Sequence, residues 1–140
     1  MALAIALSGS CLCGGIKYRI AGDLLTSVNC HCSMCRKAHG AAFGTYAAAR
    51  AADFRIVSGE DRIVRYRSSA GIVRTFCARC GSTLQWLRES KPEIVDIALG
   101  VLDDDPGVRP ASHIYVAAKA PWHEITDRLP QHATRPAKVA

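Results

Sequence analysis

The chain is poor in aromatic residues. Phe, Trp and Tyr make up 6% of its 140 positions, which leaves few platforms for stacking nucleic-acid bases. Nowhere does an apolar run approach the roughly 20 residues of a membrane-spanning helix. The N-terminal MALAIALSGS is apolar, but it has no basic n-region and its apolar run is short, so it does not read as a secretory signal. A lipoprotein signal is also disfavoured, because Ser8 stands where Leu7 would be needed relative to Cys11. There is no even set of cysteines either. Seven argue against a secreted disulfide framework, and a cytoplasmic protein with no membrane partner is the expectation.

What the chain does have is ordinary globular material. Hydrophobic residues are 49% and charged residues 21%, and one domain of this length buries about two-thirds of its unfolded surface. The formal charge is +6 and the pI about 9.1. Such a surface is either simply solvated or attracts a small anionic substrate. Nucleic acid is the weaker reading, because Lys and Arg are spread along the chain.

Short strands separated by turn signals dominate. Residues 15–20 alternate apolar and polar, the period of a half-buried strand. Further strands are expected over 24–29, 43–49, 54–57, 62–67, 72–76, 83–87, 94–99 and 113–116. Residues 33–40 read as a short helix with Ser33 as N-cap and Gly40 as its stop. The acidic run Asp103-Asp104-Asp105 reads as a solvated turn, and Trp86 and Trp122 as core, with a place in a substrate pocket as their functional alternative. From about residue 131 the tail is expected to fray. The whole is a mostly β single domain over 1–140, with its core at about 9–130 and one or two short helices.

The cysteines fall into three groups: Cys11-x-Cys13, Cys30-x-Cys32-x-x-Cys35 and Cys77-x-x-Cys80. Clustered thiols at such spacings point to zinc rather than disulfides. Cys11, Cys13, Cys77 and Cys80 can close a tetrahedron, a structural site that staples the N-terminal strand to the hairpin carrying Cys77 and Cys80. Gly81 supplies the left-handed backbone of that knuckle. Cys30, Cys32 and Cys35 supply three ligands. Three protein ligands with one exchangeable position is the pattern of a catalytic metal. The competing reading is that His31, His39 or a more distant histidine completes the set. His31, lying between two ligands, is expected to face solvent or to hydrogen-bond behind them. His113 reads as a core or interface residue, with a proton relay or late ligand as its functional alternative.

Three thiolates donate much charge to a zinc ion, which makes the site a poor generator of hydroxide and a better partner for thiols. Arg36 and Lys37, next to the cluster, are candidates for offsetting that charge and holding a substrate carboxylate, or are plain exposed cations on a short helix.

These residues together resemble the glutathione-dependent formaldehyde-activating enzyme family, which also includes centromere protein V. The resemblance is carried by Gly9-Ser10-Cys11-Leu12-Cys13-Gly14-Gly15, by Cys30-His31-Cys32-Ser33-Met34-Cys35-Arg36, by Arg74-Thr75-Phe76-Cys77-Ala78-Arg79-Cys80-Gly81-Ser82, and by His113-Ile114-Tyr115. It implies a β-tent fold of antiparallel sheets stapled by zinc, two zinc ions per chain, and catalysis at Cys30, Cys32 and Cys35. It further implies a carbon–sulfur lyase acting on a thiol–aldehyde adduct such as S-hydroxymethylglutathione. The alternative is a non-enzymatic zinc module that binds a protein or nucleic acid.

Overall fold

The computed structural model describes residues 6–136. In chain order these form β1 (Ala6–Ser10), β2 (Lys17–Ala21), β3 (Ser27–Cys30), α1 (Ser33–His39), β4 (Gly44–Arg50), β5 (Phe54–Ser58), β6 (Ile63–Ser69), β7 (Ile72–Cys77), β8 (Thr83–Arg88), β9 (Ile94–Ala98) and β10 (His113–Ile114). One sheet has the order β1-β2-β5 and the other β10-β3-β4-β9-β8-β7-β6. Every pairing is antiparallel except that of β10 with β3. The expected mostly β single domain with one short helix is what forms.

The two-residue period of the strands divides the large sheet into two faces. Ala47, Ala49, Val95 and Ile97 point toward the small sheet and pack with Leu7, Tyr18, Ile20 and Leu24. Burying side chains of this size contributes about 1.5–3 kcal/mol each. The alanines let the sheets approach closely. The opposite face carries Val28, Cys30, Tyr46, Ala98 and Ile114. There the sheet lacks a covering layer along much of its length, and a cavity of ≈ 390 Å³ opens over it.

Several expectations are corrected. The helix cap is Cys32, whose sulfur accepts the Cys35 N–H, while Gly40 ends α1 in the left-handed region as expected. Trp122 is 70% exposed, and Trp86 lines the cavity. The expected strand at 113–116 is cut to His113–Ile114, because Tyr115 turns left-handed at φ 56°. Around residue 131 the chain is hydrogen-bonded. Its backbone runs beside β10, with the His113 N–H donating to the Pro130 carbonyl at 2.8 Å and the His132 N–H to the His113 carbonyl at 2.9 Å. Residues 1–5 of the N-terminal stretch and the last four residues of the tail lie outside the described residues. The acidic turn is solvated as expected, and Asp103 and Asp104 also accept hydrogen bonds from the Ser10 hydroxyl and the Ser8 N–H. Among the described residues no helix is long and apolar enough to cross a membrane.

Candidate active site

The turn after β1 and the turn between β7 and β8 meet through their cysteines. Cys11 and Cys13 Sγ lie 3.5 Å apart, and Cys13 and Cys77 Sγ 3.9 Å apart. All four sulfurs, with Cys80, fall within 4.8 Å of one another. A tetrahedral ion with metal–sulfur bonds of about 2.3 Å requires sulfurs about 3.8 Å apart, so the donor set fits a metal ion. The protein stabilises thiolates here with its own donors. The Ile16 N–H reaches Cys11 Sγ at 3.2 Å, the Arg79 N–H reaches Cys77 Sγ at 3.4 Å, and Ser82 Oγ lies 3.2 Å from Cys80 Sγ. The Ser82 hydroxyl and backbone amides pull the Cys80 thiol down to about 5. Gly81 adopts φ 77° directly after Cys80, the backbone expected of a knuckle.

The second cluster is built locally. Cys30 ends β3, Cys32 caps α1 and Cys35 sits in its first turn. Their sulfurs also lie within 4.8 Å of one another, and no fourth Cys, His, Asp or Glu joins them among the described residues. Three thiols this close do not ionise independently. Hydrogen bonds with Cys30 and Cys35 drive Cys32 well below the ordinary thiol range, while hydrogen bonds with Cys32 and Cys35 drive Cys30 well above it. A divalent cation is the natural counter-charge for such a set. The cluster opens onto the cavity, whose wall includes all three cysteines.

The histidines weighed as fourth ligands are engaged elsewhere. His31 is fully buried, not solvent-facing, because its ring turns away from the thiols into a pocket with Phe43 and His113. Its Nε2 lies 2.8 Å from His113 Nδ1, and His113 Nε2 lies 2.9 Å from Asp127 Oδ2. Asp127, as a carboxylate, only accepts. So His113 donates from Nε2 to Asp127, and its Nδ1 shares a hydrogen bond with His31 Nε2. Burial, aided by His113 and His123, pushes the His31 pKa down to about 4, which keeps the imidazole neutral. With the His31 N–H donating to the Ile114 carbonyl at 2.9 Å, this chain of residues locks the Cys30–Cys32 segment against β10. His39 Nε2 lies 2.6 Å from Tyr46 Oη.

The cation at the cluster is Arg74, a residue that local sequence reasoning missed. It is 7% exposed and donates to Cys35 Sγ at 3.5 Å, to Tyr46 Oη at 3.1 Å and to Ser68 Oγ at 3.1 Å. Arg36 and Lys37 do not line the cavity. They follow Cys35 on α1, where the helical turn carries them off the face that Cys35 occupies. Trp86, Arg88, Asp96 and Arg135 also line the cavity; Trp86 takes the pocket place that was its alternative to core, and the other three went unnoticed. The signal available was the two-residue period, which places positions 72, 74, 86, 88 and 96 on one face once the strand order is known.

Residues 6–118 match the family model of the glutathione-dependent formaldehyde-activating enzyme. The chain belongs to that family. A Halomonas elongata protein named "Putative glutathione-dependent formaldehyde-activating enzyme" is 32% identical over 130 residues, covering 87% of this chain and 82% of its own length. A crystal structure of a Rhodobacter sphaeroides protein superposes with a TM-score of 0.59 at 30% identity, covering 74% of this chain and 91% of that one. Both clusters of cysteines, residues 11 to 80, fall inside the span matched by the family model.

Proposed function

We propose that the chain is a zinc-dependent carbon–sulfur lyase acting on a thiol–aldehyde adduct such as S-hydroxymethylglutathione. The observation that carries this reading is the contrast between the two clusters. Four thiols close on themselves, whereas three face a cavity of ≈ 390 Å³. Zinc held by Cys30, Cys32 and Cys35 would supply a Lewis acid for an aldehyde or thiol, while zinc held by Cys11, Cys13, Cys77 and Cys80 would be structural.

The chain's own residues do the rest. Arg74 holds the Cys35 sulfur and offsets the negative charge of three thiolates. Tyr46, its hydroxyl held between His39 and Arg74, lines the cavity. Val28, Ile72 and Ile114 line the wall and exclude water. In the cleavage direction the carbon–sulfur bond breaks and its electron pair goes to sulfur. The hydroxyl O–H breaks, its pair becomes the second bond of the formaldehyde carbonyl, and the proton returns to the thiol or to solvent. The reverse reaction adds thiol to aldehyde. Holding both fragments in one cavity lowers the barrier to this addition through proximity. A net charge of +6 suits an anionic thiol such as glutathione, and seven free cysteines suit a reducing compartment such as the cytoplasm.

The test is formaldehyde release from S-hydroxymethylglutathione by the zinc-loaded protein, with the 2-mercaptoethanol adduct as comparator. Release above the uncatalysed rate with the glutathione adduct supports the reading. No acceleration with either adduct would return the chain to a non-enzymatic zinc module.

A further inference from the structure

The cavity has a second chemical end that the proposed carbon–sulfur step does not use. Asp96 on β9 is the cross-strand partner of Trp86 on β8, and Arg88 follows two residues along β8, on the same face. The Arg88 guanidinium stacks 5.3 Å from the Trp86 ring and the Arg135 guanidinium 5.4 Å from it. The indole thus sets two guanidiniums at one place by cation–π contact. Among the described residues, neither guanidinium forms an ion pair and Asp96 has no cation within 4.0 Å. A part-buried carboxylate with no cation within ion-pair distance carries a desolvation cost. Two cations and one anion facing one cavity, near enough to share a field but none within ion-pair distance of another, are the complement of a zwitterion.

We propose that this end of the cavity receives the α-amino-acid head group of the thiol, Asp96 taking the ammonium and Arg88 with Arg135 the carboxylate. The proposal rests on the lyase reading in one respect: the thiol itself enters at Cys30, Cys32 and Cys35. The register then constrains the ligand. Cys30 pairs with Gly44 of β4, and Asp96 pairs with Ala48 of the same strand. Four positions separate the two ends, about 13 Å along the strands. An amino-acid head on the carbon next to the thiol-bearing carbon, as in free cysteine, is too short to reach both. A head group carried on a spacer, as in a γ-glutamyl thiol, reaches. The cavity volume lies within the about 300–1,000 Å³ of small-molecule sites.

The experiment is calorimetric titration of the zinc-loaded protein with S-methylglutathione, its N-acetyl derivative and S-methylcysteine. These thioethers bind without thiol chemistry. Loss of one charge-assisted contact corresponds to about tenfold or more in affinity. Wild type is therefore expected to bind S-methylglutathione about tenfold more tightly than the N-acetyl form. Asp96→Asn should abolish that preference, and Arg88→Gln should weaken both ligands. S-methylcysteine binding should not respond to Asp96→Asn. Equal affinity for the amine and its N-acetyl form on wild type, or no binding of S-methylglutathione, overturns the head-group assignment without any variant having to fold. A response of S-methylcysteine to Asp96→Asn overturns the spacer. Discrimination between the amine and N-acetyl forms without formaldehyde release from the adduct would leave the head-group site standing and remove the lyase. Release without discrimination would do the reverse.

Discussion

Replacing one cysteine in each cluster should have unequal consequences, and the fold allows the difference to be sized. Cys13 and Cys77 are 64 residues apart, so a metal at the four-cysteine site ties together distant segments. Treated as a cross-link, a loop of that length restricts the unfolded chain by about 4 kcal/mol. Cys30 to Cys35 closes a loop of only six residues, for which the same expression gives about 2 kcal/mol. At the usual unfolding entropy per residue, 1 kcal/mol corresponds to about 3 °C in Tm for a chain of this size. Cys77→Ser should therefore lower the Tm of the zinc-loaded protein by about 12 °C, and Cys32→Ser by about 6 °C. The first figure is a lower bound, because Cys77 is 0% exposed and the serine would sit among unpaired thiols. Domains have only about 5–15 kcal/mol in total, so Cys77→Ser is expected to give little soluble protein. Circular dichroism melting of both variants checks this. Equal drops, or a larger drop for Cys32→Ser, would refute the division into a stapling and a working cluster.

Other perturbations test single contacts. Asp96 has its pKa raised to about 6, chiefly by burial, against Arg135, Arg88 and Lys91. A carboxyl raised in the fold takes up its proton sooner than in the unfolded chain, so its burial cost is present above pH 6 and fades as pH falls toward 4. Asp96→Asn should thus be more stable than wild type by up to about 3 kcal/mol at pH 7.5 and equal to it by pH 4, as denaturant titrations at the two pH values would show. Arg74→Met removes a charge-assisted contact of about 1.5–3 kcal/mol and should lower kcat/KM for formaldehyde release by about 10- to 100-fold in a folded protein. Arg74→Lys should recover only part, because lysine cannot reproduce the fork that spans Cys35, Tyr46 and Ser68. Gly59→Ala places a Cβ 2.1 Å from the Gly15 carbonyl oxygen at φ 80°. It should destabilise the fold by more than the about 1–2 kcal/mol of a left-handed residue alone, read as a Tm loss of at least about 5 °C.

The parts of this molecule that are legible in the sequence are the local ones. Clustered thiols announce themselves through spacing, and the seven cysteines gather in the expected groups of four and three. The β7–β8 hairpin is legible because the Cys77–Cys80 knuckle marks its tip. Arg74 and Asp96 are not legible, and Trp86 only as an alternative to core, although all three line the same cavity as the thiols. They come from three strands whose order in the sheet follows tertiary packing, and each alone looks like a polar or aromatic position on an ordinary strand. Arg36 and Lys37 attract attention by adjacency to Cys35, but adjacency on a helix turns a side chain away. His31 is hidden for a related reason. Its burial depends on His113, 82 residues away, and on the parallel pairing of β10 with β3. Residues 130–132 are held on the other side of β10, where the His113 and Val116 amides donate to the carbonyls of Pro130 and His132.

The central claim is that carbon–sulfur exchange takes place at Cys30, Cys32 and Cys35. Exchange NMR on an equilibrium mixture of formaldehyde and glutathione tests it most directly, comparing zinc-loaded wild type with folded Cys32→Ser, in which the four-cysteine cluster is intact. Faster interconversion of free glutathione and its hydroxymethyl adduct with wild type, and the uncatalysed rate with Cys32→Ser, is the predicted result. Equal rates for the two proteins would contradict it.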